Sequence, residues 1–186
     1  MNSLKEYKLS TNSKRLMFKT FEAQDITDDY IESLNNTKLM KLTSSLMSSW
    51  CLKDIVKYVE DNNASNNSLL VGAFDRLSGK HIGNIRLHNF SARHSHIELG
   101  IMITNQDNHG KGYGTEMIQT ITNYIFNHLS INKVYADYFS INTPSEKMFQ
   151  KSGFIVEGIL KDHFIVDNVA IDKVCIAKFR FRSNEI

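Results

Sequence analysis

Apolar residues recur with two different periods along this chain, and the changes of period mark out its elements. Residues 15–21 read as a first strand after a loose N-terminus. Ile26, Tyr30 and Leu34 are spaced as on one helix face and predict a helix over 25–35; Leu52, Ile55, Val56 and Val59 predict a second over 52–61. Three strands then follow, 69–74, 81–87 and 95–103, the first two joined by a turn containing Ser78-Gly79, as in an antiparallel meander. After Ile103 the pattern changes. A polar loop, 104–109, leads to a strongly amphipathic helix over 114–129, with Met117, Ile118, Ile121, Ile125 and Leu129 on one face. A strand over 133–139, a helix over 143–152 and strands over 154–158 and 170–181 complete the chain. Pro144 falls in the first turn of that last helix, where its missing N–H costs nothing, and Gly153 ends it. An antiparallel front half followed by strand–helix–strand–helix–strand predicts an α+β fold: a mixed, mostly antiparallel sheet of about seven strands flanked by about four helices.

Composition narrows the class. The 186 residues suit one domain, 1–186 with a core over about 15–181, and 41% hydrophobic residues can build its interior without staples. With one proline and no Pro/Gly/Ser linker, nothing divides it; the Asn-rich run 61–68 is short enough to be a loop. Twenty-two basic and 20 acidic residues leave a net charge of +2, which gives no long-range attraction to nucleic acid or anionic lipid. Cys51 and Cys175 fit neither a disulfide framework nor a zinc pattern. The polar first ten residues lack a signal-peptide core, and no apolar run reaches the roughly 20 residues of a membrane span. These features predict a cytoplasmic protein, as monomer or homodimer.

The most informative segment is His109-Gly110-Lys111-Gly112-Tyr113-Gly114-Thr115-Glu116, between a strand and the long helix. Alternate glycines let the backbone approach a ligand closely. The unpaired N–H groups of the helix's first turn, with the helix dipole, then make an anion site suited to a pyrophosphate, with Lys111 adding charge. The plain alternative is a glycine-rich turn. A P-loop is excluded because Lys111 is followed by Gly112. A dinucleotide fingerprint is excluded by the glycine spacing, by the meander that precedes it, and by Asp137 lying inside its strand instead of at the end.

The segment resembles the acetyl-CoA signature of the GNAT superfamily, Gln/Arg-x-x-Gly-x-Gly/Ala, with His109 in the Gln/Arg place and Gly112 and Gly114 in the glycine places. Three more stretches are similar in order. Ile97-Glu98-Leu99-Gly100-Ile101 resembles the family's fourth strand, and Asn142-Thr143-Pro144-Ser145 the Asn-x-x-Ser after its fifth. Lys151-Ser152-Gly153-Phe154 with Glu157-Gly158 resembles its Lys-x-Gly-Phe and Glu-Gly. The similarity runs over about 15–181 and is nearest the branch with the ribosomal-protein alanine acetyltransferases; sugar-nucleotide and polyamine acetyltransferases look alike at this level.

The resemblance implies acetyl transfer from acetyl-CoA to a primary amine, on a small molecule such as a nucleotide-linked amino sugar or on a protein N-terminus. It needs no metal. The fourth and fifth strands would splay, with the pantetheine arm between them. Cofactor contacts would come from Ile101, Met102 and Ile103, from His109, Gly110, Lys111, Gly112, Tyr113, Gly114 and Thr115, and from Asn142, Ser145 and Phe149. An alkyl amine, with pKa about 10.4, must lose a proton before attack. Glu98, a mid-strand carboxylate among apolar neighbours, is either that base or a structural acceptor. Ser145 either polarises the leaving thiolate or bonds its own helix backbone; Asn142 either contacts pantetheine or fixes the strand end. Phe149 stands where many members carry a proton-donating tyrosine, which leaves a CoA-binding regulatory module as the alternative reading. His81, His88, His94 and His96 match no metal-ligand spacing and read as exposed strand residues, with His88 or His96 able to assist the base or contact the acceptor. Tyr30, Trp50 and Phe164 suit either an acceptor pocket or the core. The acceptor site would use 21–50, the Asn-rich loop and 161–172; the lack of a dense acidic cluster in any of them ranks polyamines last among acceptors.

Overall fold

The computed structural model describes residues 3–43 and 49–180. Its strands are β1 (Ser10–Asn12), β2 (Leu16–Thr20), β3 (Leu69–Asp75), β4 (His81–Ser91), β5 (His96–Ile103), β6 (Lys133–Phe139), β7 (Ile155–Val166) and β8 (Val169–Phe179). Its helices are α1 (Asp28–Asn35), the single turn α2 (Thr37–Met40), α3 (Leu52–Ala64), α4 (Tyr113–His128) and α5 (Thr143–Lys151). Among the described residues all eight strands join one sheet in the order β1-β2-β3-β4-β5-β6-β8-β7, and only the β5–β6 pairing is parallel. This is the mixed α+β architecture that the periodicities predict, with one strand more.

One face of the sheet packs on α4. Ile85, Leu87, Ile97, Leu99, Val134 and Ala136 meet Met117, Ile118, Ile121 and Ile125, every one at most 2% exposed. Each of these side chains except that of Ala136 contributes roughly 1.5–3 kcal/mol by leaving water, so this layer fixes α4 against the middle of the sheet. On the other face α1 and α3 bury Tyr30, Ile55 and Val59 against Phe21, Leu70 and Phe74. The alternation expected along β5 holds: Ile97 and Leu99 are buried, while His96 and Glu98, on the opposite face, are only half-buried.

The departures from the expected elements have local causes. β1 is three polar residues, Ser-Thr-Asn, with no apolar alternation to announce it. α1 begins at Asp28, because Thr27 caps it by accepting from the Tyr30 amide, and Ala23–Asp25 form a separate 3-10 turn. α3 runs into the Asn-rich stretch. Asn62 is buried, and its Oδ1 accepts from Ser68 Oγ (2.6 Å) and Arg86 Nε (2.8 Å); Asn63 donates to the Phe21 carbonyl and accepts from the Leu70 amide. These asparagines stitch the helix to the sheet instead of forming a loop. The stretch 161–172 is likewise no loop: β7 continues past Gly158 to Val166 and turns at Asp167-Asn168, both left-handed (φ 48° and 62°), as a tight two-residue hairpin requires. A register shift between Leu160 and Phe164 breaks its alternation and hides it in the sequence. The last strand, expected to reach 181, ends at Phe179; Phe181 lies outside the described residues. His81, expected to be exposed, is 7% exposed, its ring packed among those of Phe21, Tyr30 and Phe74, and burial pushes its pKa down.

Candidate functional site

The β5–β6 ladder has only three rungs, His96–Lys133, Ile97–Val134 and Glu98–Tyr135. β5 then stays paired with β4 as far as Ile103, and β6 with β8 as far as Phe139, so the two strands diverge beyond Glu98. Residues 99–103 therefore present backbone groups toward β6 that have no strand partner, along the wall of an open V. Because β1 precedes the expected first strand, β5 and β6 here are the fourth and fifth strands of the sequence expectation. Ile101 and Ile103 project to the α4 side of this wall, and Met102 to the side of α1 and α3.

The glycine loop arrives at the open end of the V. Gly110 and Gly112 adopt φ of +73° and +81°, and Gly112 is the N-cap of α4. The first amide of α4 to bond back is that of Glu116, to the Gly112 carbonyl at 3.1 Å. The amides of Tyr113, Gly114 and Thr115 precede that first bond and point out of the helix end, where they can receive an anion. His109, Gly110, Lys111 and Gly112 are exposed; Tyr113, Gly114 and Thr115 are half-buried. A Cβ on Gly114 would lie 2.3 Å from Met148 Sδ and 3.9 Å from Ile101 Cδ1, so its lack of a side chain lets α4 start hard against α5 and the splayed half of β5.

A residue outside the expected set holds this loop. Arg15, just before β2, donates from Nε to Glu116 Oε2 (2.6 Å) and from Nη1 to the Lys111 carbonyl (3.0 Å), and its guanidinium lies 4.3 Å from the Tyr113 ring centroid. Glu116 also accepts from the Arg15 amide and from Ser13 Oγ. Burial raises the Glu116 pKa, but the bonds from Ser13 and Arg15 together with the Arg15 charge outweigh it and hold the carboxyl below its ordinary range. The sequence carries no spacing signal for this pair, because 101 residues separate its members.

α5 closes the α4 side of the V. The Asn142 side chain caps it by accepting from the Ser145 amide (3.2 Å), so that Asn142 fixes the turn after β6, and Ser145 sits half-buried one turn in. Phe149, expected among the cofactor contacts, is 3% exposed and lies between Tyr138 and Phe154, with ring centroids at 6.3 and 5.1 Å. Its ring is part of the hydrophobic core.

The opposite face carries the titratable groups. His88, Glu98 and Tyr135 stand side by side on β4, β5 and β6. Asn89 Nδ2 donates to Glu98 Oε2 at 2.6 Å, His88 Nδ1 lies 3.6 Å from the same oxygen, and the Tyr135 hydroxyl is hydrogen-bonded to the carboxylate. Burial lowers the pKa of His88 against the pull of Glu98, so the imidazole is neutral near pH 7; burial first and the Glu98 charge second raise that of Tyr135. Next to them Asp137 pairs with Lys173 (2.8 Å). The hairpin tip reaches across to the helices, where Asp167 pairs with Lys41, and Asp172 pairs with Lys161. Phe164 packs on Phe139, Trp50 on Tyr58, and Tyr30 is core. His94 and His96 stack on each other, and no group of three or more His, Cys, Asp or Glu side chains able to hold a metal ion occurs among the described residues. Among the described residues no helix is long and apolar enough to cross a membrane.

Residues 15–155 match the model of the acetyltransferase (GNAT) domain. The chain belongs to the GNAT acetyltransferase family. It is an N-acetyltransferase, and the N-acetyltransferase p20 of Bacillus licheniformis is 26% identical to it over 157 residues, covering 81% of this chain and 85% of that protein. Two solved structures share the acetyltransferase's fold. One is a spermidine N-acetyltransferase from Vibrio cholerae in complex with CoA and spermine, with TM-score 0.79 and 19% identity over 90% of this chain and 97% of that one. The other is a ribosomal-protein-S5-alanine acetyltransferase from Vibrio fischeri, with TM-score 0.78 and 16% identity over 92% and 96%. The family uses acetyl-CoA. The exposed left-handed glycines, the three outward amides of α4 and the unpartnered edge of β5 are features that a diphosphate with an extended arm fits.

Proposed function

We propose that the acetyltransferase moves the acetyl group of acetyl-CoA directly to a single primary amine, with Glu98 as the base. The observation that carries this reading is the position of Glu98 on the last rung before β5 and β6 part. A thioester lying in the V and an amine approaching from the face of α1 and α3 would meet at that rung. Glu98 takes one proton from the ammonium, the neutral amine nitrogen bonds to the thioester carbonyl carbon, the carbon–sulfur bond breaks, and the second nitrogen proton passes to the departing thiolate to leave CoA as the free thiol. The backbone groups of 99–103 that lack a strand partner supply donors for the pantetheine arm and the developing oxyanion. Ser145, at the start of α5, polarises the departing thiolate directly or through water. The loop from His109 to Thr115 holds the diphosphate through its amides, with Lys111 and Arg15 beside it.

Charge argues for the acceptor class. Asp137, Asp167 and Asp172 are each neutralised by a lysine, whereas Glu98 is held by the neutral donors Asn89 and Tyr135. Around Glu98 itself, a sheet face of this kind suits one cationic amine better than a polycation, which needs several free carboxylates. We therefore place a protein N-terminus or an amino sugar ahead of a polyamine. The test is a chromatographic screen for acetylated products with acetyl-CoA and three acceptors: an alanine-initiated peptide, glucosamine and spermidine. Acetylation of the peptide or the sugar with Glu98→Gln slowed by roughly 100-fold or more in kcat supports the reading. Spermidine as the preferred acceptor overturns the acceptor class, and full activity of Glu98→Gln overturns the base.

A further inference from the structure

β4 contains a bulge beside Glu98. His88 pairs with Glu98 and Ser91 with His96, so three steps along β4 are matched by two along β5. The extra residue is absorbed at Asn89, whose φ is +50°. In a regular strand residues 88 and 89 would point to opposite faces; the bulge turns both toward Glu98. Phe90, next along, packs into the core on the other side, and its amide is satisfied by the Asn67 carbonyl at 3.3 Å. The carboxylate is thus held by a donor from each neighbouring strand, Asn89 from β4 and Tyr135 from β6.

We infer that Asn89 is the positioning residue for Glu98, placed by the bulge to fix the carboxylate at the apex of the V. The residue type follows from two requirements met together. A left-handed backbone favours glycine, asparagine or aspartate. Glycine has no donor, and aspartate would set a like charge within hydrogen-bond distance of Glu98; of these three, only asparagine supplies both the backbone and a neutral N–H donor. The other groups facing Glu98 are Arg86 and His88 from β4, His96 from its own strand, Tyr135 and Asp137 from β6, and Lys173 and Cys175 from β8. Tyr135 is hydrogen-bonded to Asn89 as well as to Glu98, so a change at position 89 also reaches the carboxylate through Tyr135.

This inference rests on Glu98 as the base, and three variants separate the two. Asn89→Gly keeps the backbone and removes the donor; Asn89→Asp keeps backbone and size and adds charge; Glu98→Gln removes the base. The readouts are the titration of the Glu98 side-chain carboxyl followed by carbon NMR, which needs no acceptor, and kcat and KM with acetyl-CoA and the alanine-initiated peptide or glucosamine. In Asn89→Asp the added like charge should move the acid limb of the kcat/KM profile, and the carbon NMR titration with it, to higher pH. Asn89→Gly should melt at nearly the unaltered temperature, keep its KM for acetyl-CoA and lose kcat about tenfold, the worth of one positioned hydrogen bond. If both Asn89 variants keep the titration and the rate of the unaltered protein while Glu98→Gln is inactive, the positioning role fails and the base stands. If Glu98→Gln is fully active, both fall.

Discussion

Replacing Gly112 by alanine separates the conformation of the phosphate loop from the room around it. Gly112 caps α4 at φ +81°, and a Cβ built there meets nothing closer than Arg15 Nη2 at 3.6 Å, an ordinary contact. The substitution therefore carries almost no steric cost, and its penalty is that of holding an L side chain in the left-handed region, about 1–2 kcal/mol. The loop can relieve this by rotating out of that region, which turns the amides of Tyr113, Gly114 and Thr115 away from the diphosphate. If the whole penalty falls on the bound form, CoA affinity drops by a factor of roughly 5–30. Asparagine tolerates the left-handed region better, so Gly112→Asn should lose less than Gly112→Ala. Gly79 provides the control: it has φ +71°, nothing within 4 Å of an added Cβ, and lies in the β3–β4 turn, outside the loop. Gly79→Ala should cost comparable stability and leave CoA binding untouched. Calorimetric titration with CoA and urea unfolding measure both effects on each variant. Equal CoA affinities for Gly112→Ala and the unaltered protein, or equal losses for Gly112→Ala and Gly79→Ala, would refute the reasoning.

Gly114 differs in kind. Its φ is unremarkable, and an added Cβ falls 2.3 Å from Met148 Sδ, the far part of a flexible side chain that can swing aside, so Gly114→Ala should cost no more than about 1 kcal/mol. Adding Met148→Ala should return part of that in urea unfolding. The Arg15–Glu116 tie predicts a pH dependence. Because the folded-state pKa of Glu116 is depressed, its contribution is present above the unfolded pKa and is lost as pH falls through the folded value. Glu116→Gln should therefore unfold at lower urea near neutrality and lose less stability than the parent protein on acidification. The same variant should weaken CoA binding, since the Arg15 bond to the Lys111 carbonyl loses its anchor. An unchanged acid-unfolding profile would remove Glu116 from the pH response.

The order and type of the main elements were legible because each announces itself within a short window. The face of α4 from Met117 to Ile125, the alternation of β5, and the cap signals at Asn142-Thr143-Pro144 and Gly153 all concern residues a few positions apart. The glycine loop was legible for the same reason, since the backbone chemistry of 109–115 depends on neighbours in sequence. Local signals failed where register breaks the period: the bulge on β4 carried that strand past 87, and the one near Leu160 hid the second half of β7. They also misassigned Asn62 and Asn63, which look like loop residues but bond to Phe21, Leu70 and Arg86, whereas Asn66 and Asn67 lie in the loop that follows α3.

What the sequence determined by itself is the set of chemical parts: an amide-lined helix start, a carboxylate on the polar side of a strand, and an apolar stripe to hold the two together. Their meeting was decided only by tertiary structure. The three-rung limit of the β5–β6 ladder, the grip of Arg15 on a loop about 100 residues away, and the convergence of Asn89 and Tyr135 on Glu98 all depend on how separate strands register. Register is set by the buried face as a whole, where shifting a strand by one residue would move every side chain to the wrong side, and no single stretch of sequence contains that information.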